Sequence, residues 1–208
     1  MRNNPMRKDD QAKTAYTIKI TLLGSKPPIW RRFCVPGEIT LDRLHDVIQI
    51  VMGWEESHLH RFEINGQRFS EKPEEEADGA EEAGFVLSEL LRKARTKFLY
   101  EYDFGDGWEH ELIVERIDEV PEGHRACIGC IGGKRACPLE DVGGVDGFAE
   151  YIAALKNPKH PEHESYREWR GPFDPSEFGP DAVNFELAKY CRWSRPRSFS
   201  QELFARGV

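Results

Sequence analysis

Within YEYDFGDGWEHEL (100–112), Asp103, Asp106 and His110 fall inside one short turn, with Gly105, Gly107 and Trp108 among them. Upstream, HLHRFEI (58–64) carries His58 and His60 on alternate positions. Two or three imidazoles with a carboxylate can hold a divalent metal and leave a position open for water, the basis of metal-assisted hydrolysis. That chemistry requires the two stretches to be neighbours in space. The turn also has a plainer explanation. Aspartates at tight turns accept backbone N–H bonds and glycines supply φ > 0, so these residues can serve geometry alone.

A second donor set lies in HRACIGCIGGKRACP, which reads His124-x2-Cys127-x2-Cys130-x6-Cys137. Four such donors separated by glycines can wrap a tetrahedral zinc. The C-x2-C has no second C-x2-C to complete it, so a Cys130–Cys137 disulfide and plain thiols stand beside zinc as readings. The cofactor is left open, with zinc as the candidate. DFG at 103–105 matches a kinase magnesium motif by coincidence, because neither a glycine-rich phosphate loop nor an HRD-type loop accompanies it.

Several elements must position these groups. Tyr16, Ile18, Ile20 and Leu22 alternate and predict a strand over 16–23, with a returning strand over 29–35. Arg31 and Arg32 then point to opposite faces. Leu41, Leu44, Ile48 and Val51 form the apolar stripe of a helix, with Thr40 as N-cap and Gly53 as the C-terminal glycine. A strand over 58–64 ends at the turn Asn65-Gly66. This strand–strand–helix–strand opening resembles a β-grasp. Beyond it the sequence predicts a short helix at 86–94 and a hairpin of 97–104 with 110–117 around GDGWE. In that register Phe104 faces His110, Tyr102 faces Leu112 and Tyr100 faces Val114. His110 lies on the aromatic inner side, Asp103 on the other face, and Trp108 at the sheet edge. Helices are predicted over 147–158, 161–170 and 181–191. The expected class is α+β: a mixed central sheet covered by C-terminal helices. The expected organisation is a flexible segment 1–15, one domain over 16–193 and a tail over 194–208.

The 208 residues carry 37 acids against 29 bases, a net charge of -8. The stretch EKPEEEADGAEE (71–82) holds seven acids and one lysine, and so most of that charge. It is expected to form an acidic mobile loop over 70–84. No basic stripe marks a nucleic-acid surface, so charge does not support a nucleic-acid partner. No apolar run approaches the ~18–20 residues that span a membrane. The N-terminal residues lack the apolar core of a secretory signal, which predicts a cytoplasmic protein. Five cysteines, an odd count, fit a reducing compartment.

PPIWRRFCVPGEITLDRLHDVIQIVMGWEESHLHRFEI, YEYDFGDGWEHELIVERI, CIGGKRACPLEDVGG and HPEHESYREWRGPFDPSEFGPDAVNFEL resemble the plasmid pRiA4b ORF-3-like family over roughly 16–190. The resemblance implies an α+β fold, occurrence with mobile elements, and for some members the label of transposon resolvase. A recombinase sets its nucleophile among arginines that clamp the scissile phosphate. No such constellation is legible here. The expected function is therefore a non-enzymatic binding or adaptor module of mobile-element or plasmid biology, with a protein partner the sequence does not identify. The alternative is a metal-dependent hydrolase or nuclease built on His58, His60, Asp103, Asp106 and His110.

Overall fold

The computed structural model describes residues 13–71, 73 and 79–193. The expectations for residues 1–12, for 72 and 74–78 of the acidic stretch, and for the 194–208 tail lie outside the described residues.

Alternation in the sequence becomes alternation in burial. Strand β1 (Thr14–Leu22) turns Tyr16, Ile18, Ile20 and Leu22 into the core and leaves Lys19 and Thr21 towards solvent. Strand β2 (Trp30–Pro36) returns antiparallel beside it. Helix α1 (Leu41–Met52) follows, with Leu44, Val47, Ile48 and Val51 fully buried. At about 1.5–3 kcal/mol for each large aliphatic side chain, this stripe is what fixes the helix to the sheet. The helix stops at Gly53, whose φ of 102° is the left-handed conformation expected of a C-terminal glycine. Thr40 precedes it without a side-chain bond to the helix backbone; its hydroxyl instead meets Asp42.

The remaining strands are β3 (His60–Ile64), β4 (Gln67–Ser70), β5 (Ala80–Glu81), β6 (Lys97–Tyr102), β7 (Trp108–Glu119) and β8 (Gly129–Lys134). They make one eight-stranded sheet in the order β5-β4-β3-β6-β7-β1-β2-β8. Every pair is antiparallel except β4 with β5, so the sheet is mixed. Strands β6 and β7 stand between β3 and β1. Helices α2 (Leu87–Leu90), α3 (Gly144–Lys156), α4 (His163–Arg170) and α5 (Pro180–Trp193) complete the α+β architecture. Among the described residues no helix is long and apolar enough to cross a membrane.

Two segments of biased composition carry regular structure. The acidic stretch is not solvated throughout. Its C-terminal end pairs as β5 and buries Glu82 to 2% exposure, because a histidine is there to receive the carboxylate. The glycine-rich cysteine segment contains β8, which pairs with β2 and has its outer edge held by Asn184 of α5. Asn184 accepts from Cys130 N at 2.7 Å and donates to Cys130 O at 2.9 Å. A side-chain amide that mimics a neighbouring strand removes an open edge.

A candidate cation site beside an acidic cleft

The β6–β7 hairpin has a different register from the expected one. Tyr102 pairs with Trp108 and Tyr100 with His110, around a five-residue turn, 103–107. The cause is Asp103. Its φ of 55° breaks the strand there, its Oδ1 accepts from Gly105 N (3.0 Å) and Asp106 N (3.3 Å), and Gly107 N bonds its carbonyl. Aspartate is among the residues that tolerate this conformation, since its side chain replaces the lost strand bonds. Phe104 is thereby turned outward and half exposed, while Trp108 lies wholly in the core and not at an edge.

His58 stands in the segment between α1 and β3. Three successive backbone N–H groups ahead of it are each held by a side chain: Glu55 N by Glu140 (2.6 Å), Glu56 N by Gln49 (3.0 Å) and Ser57 N by the Tyr102 hydroxyl (2.9 Å). Tyr102 in turn donates to Glu140 Oε1 at 2.9 Å. With that oxygen engaged, Glu140 Oε2 is left facing His58 Nε2 at 3.7 Å. Asp103, its Oδ1 occupied by the turn, presents Oδ2 to the same nitrogen at 3.7 Å. Asp141 brings Oδ1 to 3.3 Å. His58 Nε2 is closed off from solvent and has no hydrogen-bond partner among the described residues.

Three carboxylates around one imidazole nitrogen concentrate negative charge that must be answered by a proton or a cation. Nitrogen and oxygen ligands ~2.1 Å from a tetrahedral ion lie ~3.4 Å from one another, close to the distance of His58 Nε2 from each carboxylate. His58, Asp103 and Asp141 form one of two such donor groups among the described residues; the other is His45, Asp46 and Glu56.

His58, His45, Asp46 and Glu56 all line one cleft of about 730 Å³. Its wall is acidic, with Arg61 as the one basic residue among the described residues that line it, and exposed Leu59 and Phe104 form its lip. His60 is not part of the carboxylate cluster. Its Nε2 bonds both Glu82 oxygens, at 2.9 and 3.1 Å, and its ring stacks on His45 at 3.4 Å. A relay fixes His45. Gln49 Oε1 accepts from Glu56, so its amide N–H donates to the Tyr100 hydroxyl at 2.9 Å, and that hydroxyl meets His45 Nδ1 at 2.8 Å. The buried phenol proton has His45 Nδ1 as its acceptor, which leaves the His45 proton on Nε2, 3.9 Å from Glu56. Burial, and then the charge of His60, lower the His45 pKa to about 3. His45 is a neutral donor at the cleft wall.

The other sequence-derived candidates are placed elsewhere. Asp106 accepts from Gly143 N at 3.1 Å and clamps the hairpin turn to the loop that carries Glu140 and Asp141. A Cβ on Gly144 would lie 2.4 Å from Asp106 O, so the approach requires glycine. His110 faces inward as its parity predicts, but into an aromatic nest of Trp54, Tyr100 and Trp108, with Nδ1 donating to Tyr100 O at 3.3 Å. The proposed zinc ligands Cys127, Cys130, Cys137 and His124 do not converge among the described residues. Cys127 is exposed, Cys130 is turned inward by β8, and His124 meets Glu122 O. All five cysteines are free thiols, and burial pushes the Cys130 and Cys137 pKa values up. Arg32 pairs with Glu115 across the strands at 2.6 Å.

His110 makes stability depend on pH. Burial lowers its pKa to about 4, against about 6.5 when unfolded. The unfolded chain therefore binds the extra proton first. The stability contributed by the neutral ring is complete above about pH 6.5 and is lost as pH falls towards 4. Urea melts between pH 7 and 4.5 should lose about 2–3 kcal/mol to this residue. A His110→Phe variant should show a shallower decline; an unchanged slope would remove His110 from the explanation.

Glu140 and Asp141 escaped the sequence reading, although both stand in CPLEDVGG, next to the glycines that the hairpin packs on. The sequence matches the family model described as plasmid pRiA4b ORF-3-like protein over residues 14–182. It is 38% identical over 192 residues to the uncharacterized protein y4hQ of Sinorhizobium fredii, covering 87% of this chain and 96% of that one. The fold is similar to the crystal structure of MM3350, a protein of unknown function from Methanosarcina mazei Go1. The TM-score is 0.72 at 36% identity, over 82% of this chain and 98% of that one.

Proposed function

The chain belongs to the plasmid pRiA4b ORF-3-like protein family, and from that premise we propose that it is a binding module that works through a divalent cation. The cation is held by His58, Asp103 and Asp141, with the Glu140 carboxylate beside them, and faces a partner bound in the acidic cleft. The observation that carries this reading is the His58 nitrogen, closed off from water, without a hydrogen bond, and 3.3–3.7 Å from three carboxylates. A partner suited to the cleft is a protein segment with basic side chains for its wall and an apolar residue for the Leu59–Phe104 lip. Free nucleic acid is disfavoured there, since a phosphate backbone would meet like charge. The family's description names a plasmid reading frame, and a role in mobile-element or plasmid biology within the cytoplasm is the setting we propose.

Calorimetric titration of untagged, chelator-stripped protein with Mn²⁺ and Zn²⁺ tests the reading. One saturable equivalent is expected, with a rise in melting temperature, because a ligand bound only by the native state stabilises it. Asp141→Asn should weaken affinity at least about tenfold at little cost to the fold, as that side chain is largely exposed and asparagine tolerates its left-handed backbone, φ 61°. Absence of saturable binding would reject the cation.

Hydrolysis is the second reading, and one observation favours it. His45 presents a neutral N–H to the same cleft that His58 borders, and such a donor can polarise an oxygen of a metal-bound substrate. Metal-supplemented assays on phosphoesters, with His45→Ala as control, separate hydrolysis from binding. Cation binding without turnover would leave the binding module standing.

A further inference from the structure

A second cavity, of about 370 Å³, lies away from the acidic cleft, where the β1–β2 loop meets α3. Its size is within the range of about 300–1,000 Å³ usual for small-molecule sites. Ile29, Val145, Phe148 and Ile152 give it an apolar floor. Lys26, Arg135 and Lys156 border it against a single acid, Asp146. In a chain with more acids than bases, this is a local reversal of charge. Among the described residues none of these three cations makes an ion pair, whereas Arg32, Arg61 and Lys97 on the sheet each have a glutamate.

Two features single out Arg135. Its Nε is closed off from solvent with no hydrogen-bond partner. Its φ is 73°, a conformation that costs a non-glycine residue energy and persists where the surroundings impose it. The cavity wall is also fixed in advance. Ser25 Oγ donates to Leu22 O at 2.7 Å and accepts from Ile29 N at 3.0 Å, which holds the loop closed on itself. Gly24, at φ 76°, lies so close to Val145 that a Cβ would come within 3.3 Å of it.

We infer that this cavity binds a small amphipathic carboxylate, with the carboxylate on Arg135 and the hydrocarbon body against the α3 side chains. The guanidinium fork matches a carboxylate in a bidentate manner, and Lys26 and Lys156 add charge at the mouth. The apolar floor gives a hydrocarbon chain what a hydrated inorganic anion cannot use. Because the cavity shares no residue with the His58 cluster, His58→Ala should leave it unchanged.

Titration of the full chain with octanoate, followed by calorimetry and amide NMR, tests the assignment. Octanoate should saturate, with shifts confined to the 24–29 loop, Arg135 and α3. Octan-1-ol and acetate should each bind at least about tenfold more weakly, the first lacking the charge and the second the body. Arg135→Gln and, separately, Lys156→Gln at the exposed helix end should reduce affinity without changing the melting temperature. Ile152→Trp should block the cavity. Equal binding of octan-1-ol, displacement of octanoate by equimolar inorganic phosphate, indifference to both charge variants, or no saturable binding would each overturn the inference.

Discussion

Asp103→Asn is expected to keep the fold and lose the cation. The asparagine amide oxygen can accept from Gly105 and Asp106 as Asp103 Oδ1 does, and asparagine also tolerates the left-handed backbone of the turn. What it lacks is the charge that Oδ2 directs at His58. Divalent-cation affinity should fall by about 10–100-fold while the melting temperature of the metal-free protein moves little. Asp103→Ala should lose both properties, since it also orphans the turn's N–H groups, at about 1–3 kcal/mol. If the two variants bind cation as the parent does, Asp103 serves geometry alone. If both unfold equally, the separation of roles fails.

The largest loss of stability is expected at Arg31, which is 2% exposed and has no carboxylate among its hydrogen-bond partners. Its Nε donates to Val51 O at 2.8 Å and its Nη2 reaches Met52 O, both at the C-terminal end of α1. Its Nη1 donates to Trp30 O and Lys134 O, and its guanidinium stacks on Phe178. The charge is answered by the helix dipole and by the Val51 and Met52 carbonyls, which lie in the last turn of α1 where intrahelical donors run out. Arg31→Met fills much of the volume and leaves those carbonyls unmet, which should cost about 3–5 kcal/mol in urea unfolding. Arg31→Lys should recover only part, because a single ammonium cannot span the two strands and the helix end. A loss below about 1 kcal/mol for Arg31→Met would show that the helix end does not depend on this cation.

These two residues illustrate what a sequence can convey. Parity alone separates Arg31 from Arg32 and turns His110 inward, because side chains alternate whatever a strand pairs with. The α1 stripe and Gly53 are equally local signals and correspond to the helix found. Parity does not give register. The β6–β7 pairing slides because Asp103 leaves the strand early, and a side-chain-capped turn leaves no periodic mark. Composition misleads at Glu82, where an acid from a highly charged stretch is buried against His60. It misleads again at Gly129–Lys134, where glycine content hides a strand. The candidate site suffers most from distance. His58 and Asp103 come together as the metal hypothesis requires, yet their companions Glu140 and Asp141 arrive from a loop far along the chain. Asp106, chosen as a ligand candidate, instead ties that loop down.

The most direct measurement is anomalous diffraction from crystals of the untagged protein grown with Mn²⁺ or Zn²⁺. One strong peak is expected among His58 Nε2, Asp103 Oδ2 and Asp141 Oδ1, at bonding distances of ~2.0–2.2 Å, with Glu140 Oε2 beside it. A well-diffracting crystal with no peak there, or with its only peak on the cysteines, would contradict it.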